Sequence, residues 1–90
     1  MVVRFFATLR NVTGHAEVEW DAPAADLGEL LEALAQSYGP AFRRAVLTGE
    51  RLVPTVMVLV NGHDARLAGG AEAPLAPDDE ISIFPPLAGG

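Results

Sequence analysis

The chain has 90 residues, half of them hydrophobic, with a formal net charge of −6 and no cysteine. That length makes one domain with a single compact core. The missing thiols exclude a disulfide framework, a thiol nucleophile and a cysteine-based metal site, and acids scattered along the whole chain argue against a nucleic-acid partner held by its phosphates.

Val2 to Leu9 alternates as a strand does, with Val3, Phe5, Ala7 and Leu9 on one face and Arg4, Phe6 and Thr8 on the other. Asn11-Val12-Thr13-Gly14 is turn chemistry. Ala16 to Trp20 alternates again, so a hairpin with the first strand is the simplest pairing. Asp21-Ala22-Pro23 ends it. Asp26 has the character of a helix N-cap, with Glu29 as its reciprocal partner three residues on. Leu27, Leu30, Leu31, Leu34, Ala35 and Tyr38 then fall on one apolar stripe. Gly39 and Pro40 close that helix, and Ala41 to Leu47 is expected to form a short second helix with Arg43 and Arg44 outward.

Thr55 to Val60 is apolar on both faces, as expected of a strand inside a sheet. Asn61-Gly62 signals a tight turn into a short edge strand, His63 to Leu67. Ala68 to Asp79 reads as loop, and Glu80 to Phe84 as the last strand. Pro85-Pro86 then stops pairing and stiffens the exit. The order β-β-α-β-β-β predicts an α+β fold, a mixed sheet of four to five strands packed on one main helix. It has no internal repeat: a domain over residues 1–84 carries an extended tail over 85–90. No apolar run approaches the length of a membrane span. Met1 to Phe6 lacks the apolar core of a signal peptide, which together with the absence of cysteine fits a reducing cytoplasm.

Catalytic constellations are missing from the pattern. His15 and His63 each sit beside a turn, with no acid at ligand spacing on a shared helical face. Asp78, Asp79 and Glu80 read as a solvated turn. Thr8, Thr13, Ser37, Thr48 and Ser82 have no elbow or triad context. Gly69-Gly70 is followed by no lysine or hydroxyl that would make a phosphate loop. Two other features are more informative. If the first and last strands are neighbours, Phe6 and Phe84 meet on the outer sheet face, where grouped aromatics mark a partner surface unless the short second helix or a loop covers them. Next to that point the chain ends in Leu87-Ala88-Gly89-Gly90, a carboxylate carried on bare backbone. Six residues of tail extend about 20 Å at roughly 3.3 Å each, enough to thread that carboxylate into a partner's pocket.

These residues resemble the ubiquitin-like sulfur carriers of the molybdopterin-synthase small-subunit (MoaD) and ThiS family, over nearly the whole chain. Phe5-Phe6-Ala7-Thr8-Leu9-Arg10 is similar to that family's first strand and turn. Leu75-Ala76-Pro77-Asp78-Asp79-Glu80-Ile81-Ser82-Ile83-Phe84-Pro85-Pro86 is similar to its approach to the tail, L-x-x-G-D-E-(apolar)-x-(apolar)-F-P-P, with Asp78 where the pattern has glycine. The segment from Ala41 to Pro54 is longer than in the short bacterial members and resembles the longer MoaD-like proteins.

The resemblance implies a β-grasp fold and a defined chemistry. An adenylating enzyme of the MoeB/ThiF type spends ATP on the Gly90 carboxylate, and a sulfurtransferase supplies the sulfur that turns it into a thiocarboxylate. The large subunit of molybdopterin synthase (MoaE-like) then receives the tail and passes sulfur to the pterin precursor. The chain itself is implied to be a carrier subunit that binds no cofactor, rather than an enzyme on its own. The implied chemical site is Gly90 with Gly89. The implied partner contacts are Phe6, Arg10, Phe84, Pro85, Pro86, Leu87 and Ala88. Three functions stay open at this point: a sulfur carrier for molybdopterin, or for thiamine or tRNA thiolation; a protein modifier joined through Gly90 to lysines; and an interaction domain whose Gly-Gly is incidental. The Phe-Pro-Pro approach favours molybdopterin.

Overall fold

A computed structural model describes residues 1–86. In chain order the elements are β1 (Val2–Phe5), α1 (Leu9–Thr13), β2 (Glu17–Glu19), α2 (Leu27–Tyr38), α3 (Pro40–Val46), β3 (Leu47–Thr48), β4 (Arg51–Leu52), β5 (Met57–Val60), β6 (His63–Asp64) and β7 (Glu80–Phe84). Two 3-10 turns, Ala65–Ala68 and Gly70–Glu72, precede the last strand.

Five strands form one mixed sheet in the order β2-β1-β7-β5-β6. Its centre is the parallel pair β1 and β7, with Val3 opposite Ile81 and Phe5 opposite Ile83. Every other neighbour in that sheet is antiparallel. The alternation read from the sequence therefore sends Val3, Phe5, Val58, Ile81 and Ile83 inward, all fully buried.

Helix α2 supplies the other half of the core with Leu27, Leu30, Leu31, Leu34 and Ala35. Each such leucine contributes about 1.5–3 kcal/mol of burial. The Asp26 carboxylate accepts from the Glu29 N–H at 2.9 Å. The Glu29 carboxylate accepts in return from the N–H of Ala25, at 2.8 Å, one residue before the cap itself. Phe5 then ties the layers together, since its ring meets Tyr38 of α2 and Phe42 of α3 edge to face, with centroids 5.6 and 6.0 Å away.

The structure corrects the sequence expectations at several places. The first strand stops at Phe5, not Leu9. Ala7 takes a left-handed φ of +51° and is exposed, and the supposed turn that follows is α1, closed by left-handed Gly14. Leu9 is still buried, but from a helix. Five residues are too few for helical periodicity to stand out from alternation, which is why the segment reads as strand and turn. The edge strand ends at Asp64, because that carboxylate accepts from the Arg66 N–H at 2.9 Å and starts a 3-10 turn instead. The loop after it contains the second 3-10 turn. Finally, β3 and β4 form a separate two-stranded hairpin that buries Leu47 and Leu52. The short second helix is present as α3, begun by Pro40 after Gly39 at φ +95°. Arg44 points out as expected, and so does Arg43, whose half-exposed side chain reaches across the helix pair to both Glu32 oxygens, at 2.5 and 3.0 Å.

No helix among the described residues is long and apolar enough to cross a membrane.

Candidate functional site

Residues directly opposite one another in paired strands share a face, so the register dictates what the outer side of the sheet displays. Arg4 of β1 lies opposite Glu17 of β2 and Ser82 of β7. It donates to Glu17 at 3.0 Å and to Glu80 at 2.6 Å. The hydrogen bond to Glu80, followed by that to Glu17, holds the Arg4 guanidinium above its ordinary pKa, so it stays a fixed cation between two anions. This end of the face is polar, with one cation shared between two carboxylates.

The other end is apolar. The Phe6 N–H continues the ladder beyond β1 by donating to the Ile83 carbonyl at 3.1 Å. Its ring lies flat on that of Phe84, with centroids 4.2 Å apart and planes at 14°. Met57 of β5 sits opposite Phe84 on the far side and is 44% exposed. Leu59, half-buried, follows on the same face opposite Ser82. The short second helix does not cover these rings, because Phe42 of α3 packs on Phe5 at the inner face of the sheet.

Arg10 completes the platform. Its guanidinium carbon lies 5.6 Å from the Phe6 ring centre, a cation–π distance, while Nε donates to the Phe5 carbonyl at 3.1 Å. Helix α1 makes this possible, since it turns the chain back after Ala7 and returns Arg10 to the end of β1. An extended Val2–Leu9 strand would have carried Arg10 away from Phe6.

Of the residues implicated from sequence, the fold thus brings Phe6, Arg10 and Phe84 into one patch. Pro85 is buried and Pro86 is exposed. Leu87, Ala88, Gly89 and Gly90 lie outside the described residues. Met57 joins the patch although alternation alone could not assign it, because Thr55 to Val60 is apolar on both faces. Among the described residues no three histidine or acidic side chains converge as a metal site.

A short duplication also comes to light. Leu67-Ala68-Gly69-Gly70 has the same four residues as the tail, Leu87 to Gly90. Within the fold the internal copy runs from the end of one 3-10 turn into the start of the next, with Gly69 and Gly70 at φ +113° and +65°. It is therefore not an extended strand of backbone.

The sequence pattern that defines the ThiS family matches residues 3–90. The chain belongs to the ThiS family. Over 89 residues this ThiS-family chain is 37% identical to small archaeal modifier protein 3 of Haloferax volcanii, covering 98% of this chain and 96% of that one. Its structure is similar to one from the BexX/CysO complex of Amycolatopsis orientalis, with a TM-score of 0.83 and 31% identity over 99% of this chain and 98% of the other. It is also similar to small archaeal modifier protein 1 of Haloferax volcanii, with a TM-score of 0.78 and 30% identity over 96% and 95% of the two chains. The fold is the ubiquitin-like β-grasp expected from the resemblance. The family is one of ubiquitin-like sulfur carriers and modifiers.

Proposed function

We propose that this protein carries sulfur on its tail, as a thiocarboxylate at Gly90, and delivers it in molybdopterin synthesis. The observation that supports this most is the half-exposed stack of Phe6 and Phe84, flanked by Arg10, where β7 gives way to the tail. A partner that closes on this apolar platform receives the tail that follows it at a defined place. Aromatic and arginine anchors of this kind dominate binding energy at interfaces.

The chemistry follows from the terminal group. A carboxylate, with a pKa near 3.5, is ionised at neutral pH and a poor electrophile. Attack of the Gly90 carboxylate on the α-phosphorus of ATP, in an adenylating partner, expels pyrophosphate and leaves an acyl-adenylate. Hydrosulfide, set free from a sulfurtransferase persulfide by a thiol reductant, adds to the carbonyl carbon, and AMP departs with the electron pair of the broken C–O bond to leave the thiocarboxylate. The chain has no cysteine, so the terminal carboxyl is the one position here that could hold transferable sulfur. Gly89 and Gly90 let a narrow pocket close around bare backbone. ATP and reducing conditions are both cytoplasmic, which is the compartment this reading requires. The Phe84-Pro85-Pro86 approach, similar to the MoaD pattern, favours the large subunit of molybdopterin synthase as the acceptor.

A second reading is favoured by the two small archaeal modifier proteins among the relatives: the same adenylated Gly90 captured by a substrate lysine. This chain has no lysine, so such a modifier would not build lysine-linked chains of itself. Intact mass of the protein from its native host, before and after alkylation, decides between the two. Replacement of one oxygen by sulfur, with a single alkylatable group, is the result expected of the carrier. Larger species joined through Gly90 to lysines would transfer the proposal to the modifier, and neither form would remove both.

A further inference from the structure

Arg66 makes an arrangement that neither the fold nor the tail chemistry calls for. Its guanidinium spans the loop leading into β5, with Nη1 donating to the Val56 carbonyl at 2.5 Å and Nη2 to those of Val53 and Pro54 at 2.7 and 3.1 Å. The fork is itself held at its base: the Arg66 N–H donates to the Asp64 carboxylate, and the preceding Ala65 is buried. Three carbonyls of one tight turn are thus fixed by one rigid, planar group, a geometry that an ammonium reproduces only in part.

The residue immediately after this loop is Met57, opposite Phe84 in the sheet. Val56, gripped through its carbonyl, is buried on the inner face, and the alternation of the strand then sends Met57 outward. Met57 is an unbranched, adaptable side chain, so where its backbone stands decides how it lies against the aromatic stack. We propose that Arg66 is a positioning residue that sets Met57 beside Phe84 and thereby completes the docking platform. The proposal rests on the docking role given above to Phe6 and Phe84. The carbonyls Arg66 grips lie in a partly exposed loop, where water would bond to them in its absence. The clamp therefore acts mainly on geometry.

The test uses the full chain with Arg66→Gln, Arg66→Lys, Met57→Ala and the double variant Arg66→Gln/Met57→Ala, and Phe84→Ala as control. The probe is the purified MoeB/ThiF-type adenylating enzyme of the same organism with Mg-ATP. Met57 is one of two methionines, so its ¹³C-methyl resonance is readily assigned and reports its place near the Phe84 ring. Arg66→Gln is expected to shift that resonance and to weaken binding about tenfold, a change of roughly 1.4 kcal/mol. Added to Met57→Ala it should cost no further affinity, because the residue acts through Met57. Arg66→Lys should recover part of the affinity.

An unmoved methyl resonance would overturn the proposal, and so would independent, additive losses in the double variant. If Phe84→Ala leaves binding unchanged, the docking reading fails. A methyl shift then still shows Arg66 placing Met57, but the platform role falls with the reading. Should Arg66→Gln not fold, Arg66→Lys decides the same points below its own melting temperature.

Discussion

Phe6 and Phe84 lie near opposite ends of the chain, yet their rings stack 4.2 Å apart with planes at 14°. The parallel pairing of β1 with β7 brings them together, and neither ring enters the core. An aromatic pair left half-exposed beside a cation adds little to folding, and under the proposed function it is the partner's grip.

Phe84→Ala should therefore separate binding from stability. The pair is worth about 0.5–1.5 kcal/mol to the isolated fold, whereas loss of a central aromatic anchor costs 2 kcal/mol or more in binding, on the order of thirtyfold or greater. Partner affinity by calorimetry and melting temperature by circular dichroism give the two numbers. A collapse of stability with unchanged affinity would make Phe84 a core residue.

Deleting Gly90 should abolish sulfur loading and leave thermal stability unaltered, because the buried cluster runs from Val3 to Ile83. The internal Leu67-Ala68-Gly69-Gly70 will not substitute for the tail. It has no free carboxylate, and its glycines are left-handed at the junction of two 3-10 turns. Mass spectrometry after incubation with the activating enzyme, ATP and a sulfur donor checks loading; a loaded deletion variant would refute the role of Gly90.

Phe5→Ala should be severe. Phe5 is fully buried and meets Tyr38 and Phe42 edge to face, so its removal opens a cavity between the sheet and both helices. The expected cost is about 3–5 kcal/mol, read as a lowered urea midpoint. Asp26→Ala should be milder, at about 1 kcal/mol, because one helix cap is lost while packing stays.

Acid should loosen the α2–α3 pair. The hydrogen bonds from Arg43 lower the Glu32 pKa below its ordinary 4.5, against a smaller opposing effect of desolvation. A depressed carboxylate stabilises the fold above its unfolded pKa and loses that contribution as pH falls through the folded value. Stability that Glu32 confers is thus intact at neutral pH and disappears below about pH 4.5. The pair faces solvent, so the effect is small and shrinks in high salt. Urea melts of Glu32→Gln and the natural chain from pH 7 to 3 should converge at the acid end; a constant difference would show that the charge is not responsible.

Much of this protein was legible in its sequence. The inward set Val3, Phe5, Ile81 and Ile83, the Asp26 cap, the α2 stripe and the outward Phe6 and Phe84 all follow from periodicity and local hydrogen-bonding chemistry, which are properties of neighbouring residues. The resemblance in the tail and its approach pointed to the family by the same kind of local signal. What only the tertiary structure decided depends on who lies beside whom. Five residues of α1 carry too little periodicity to announce a helix, yet that turn is what sets Arg10 over Phe6. Thr55 to Val60 is apolar on both faces, so only pairing with β7 could assign Met57 to the platform. The grip of Arg66 on Val53, Pro54 and Val56 joins carbonyls, and every residue contributes one of those whatever its side chain. No pattern of side chains could have marked it in advance.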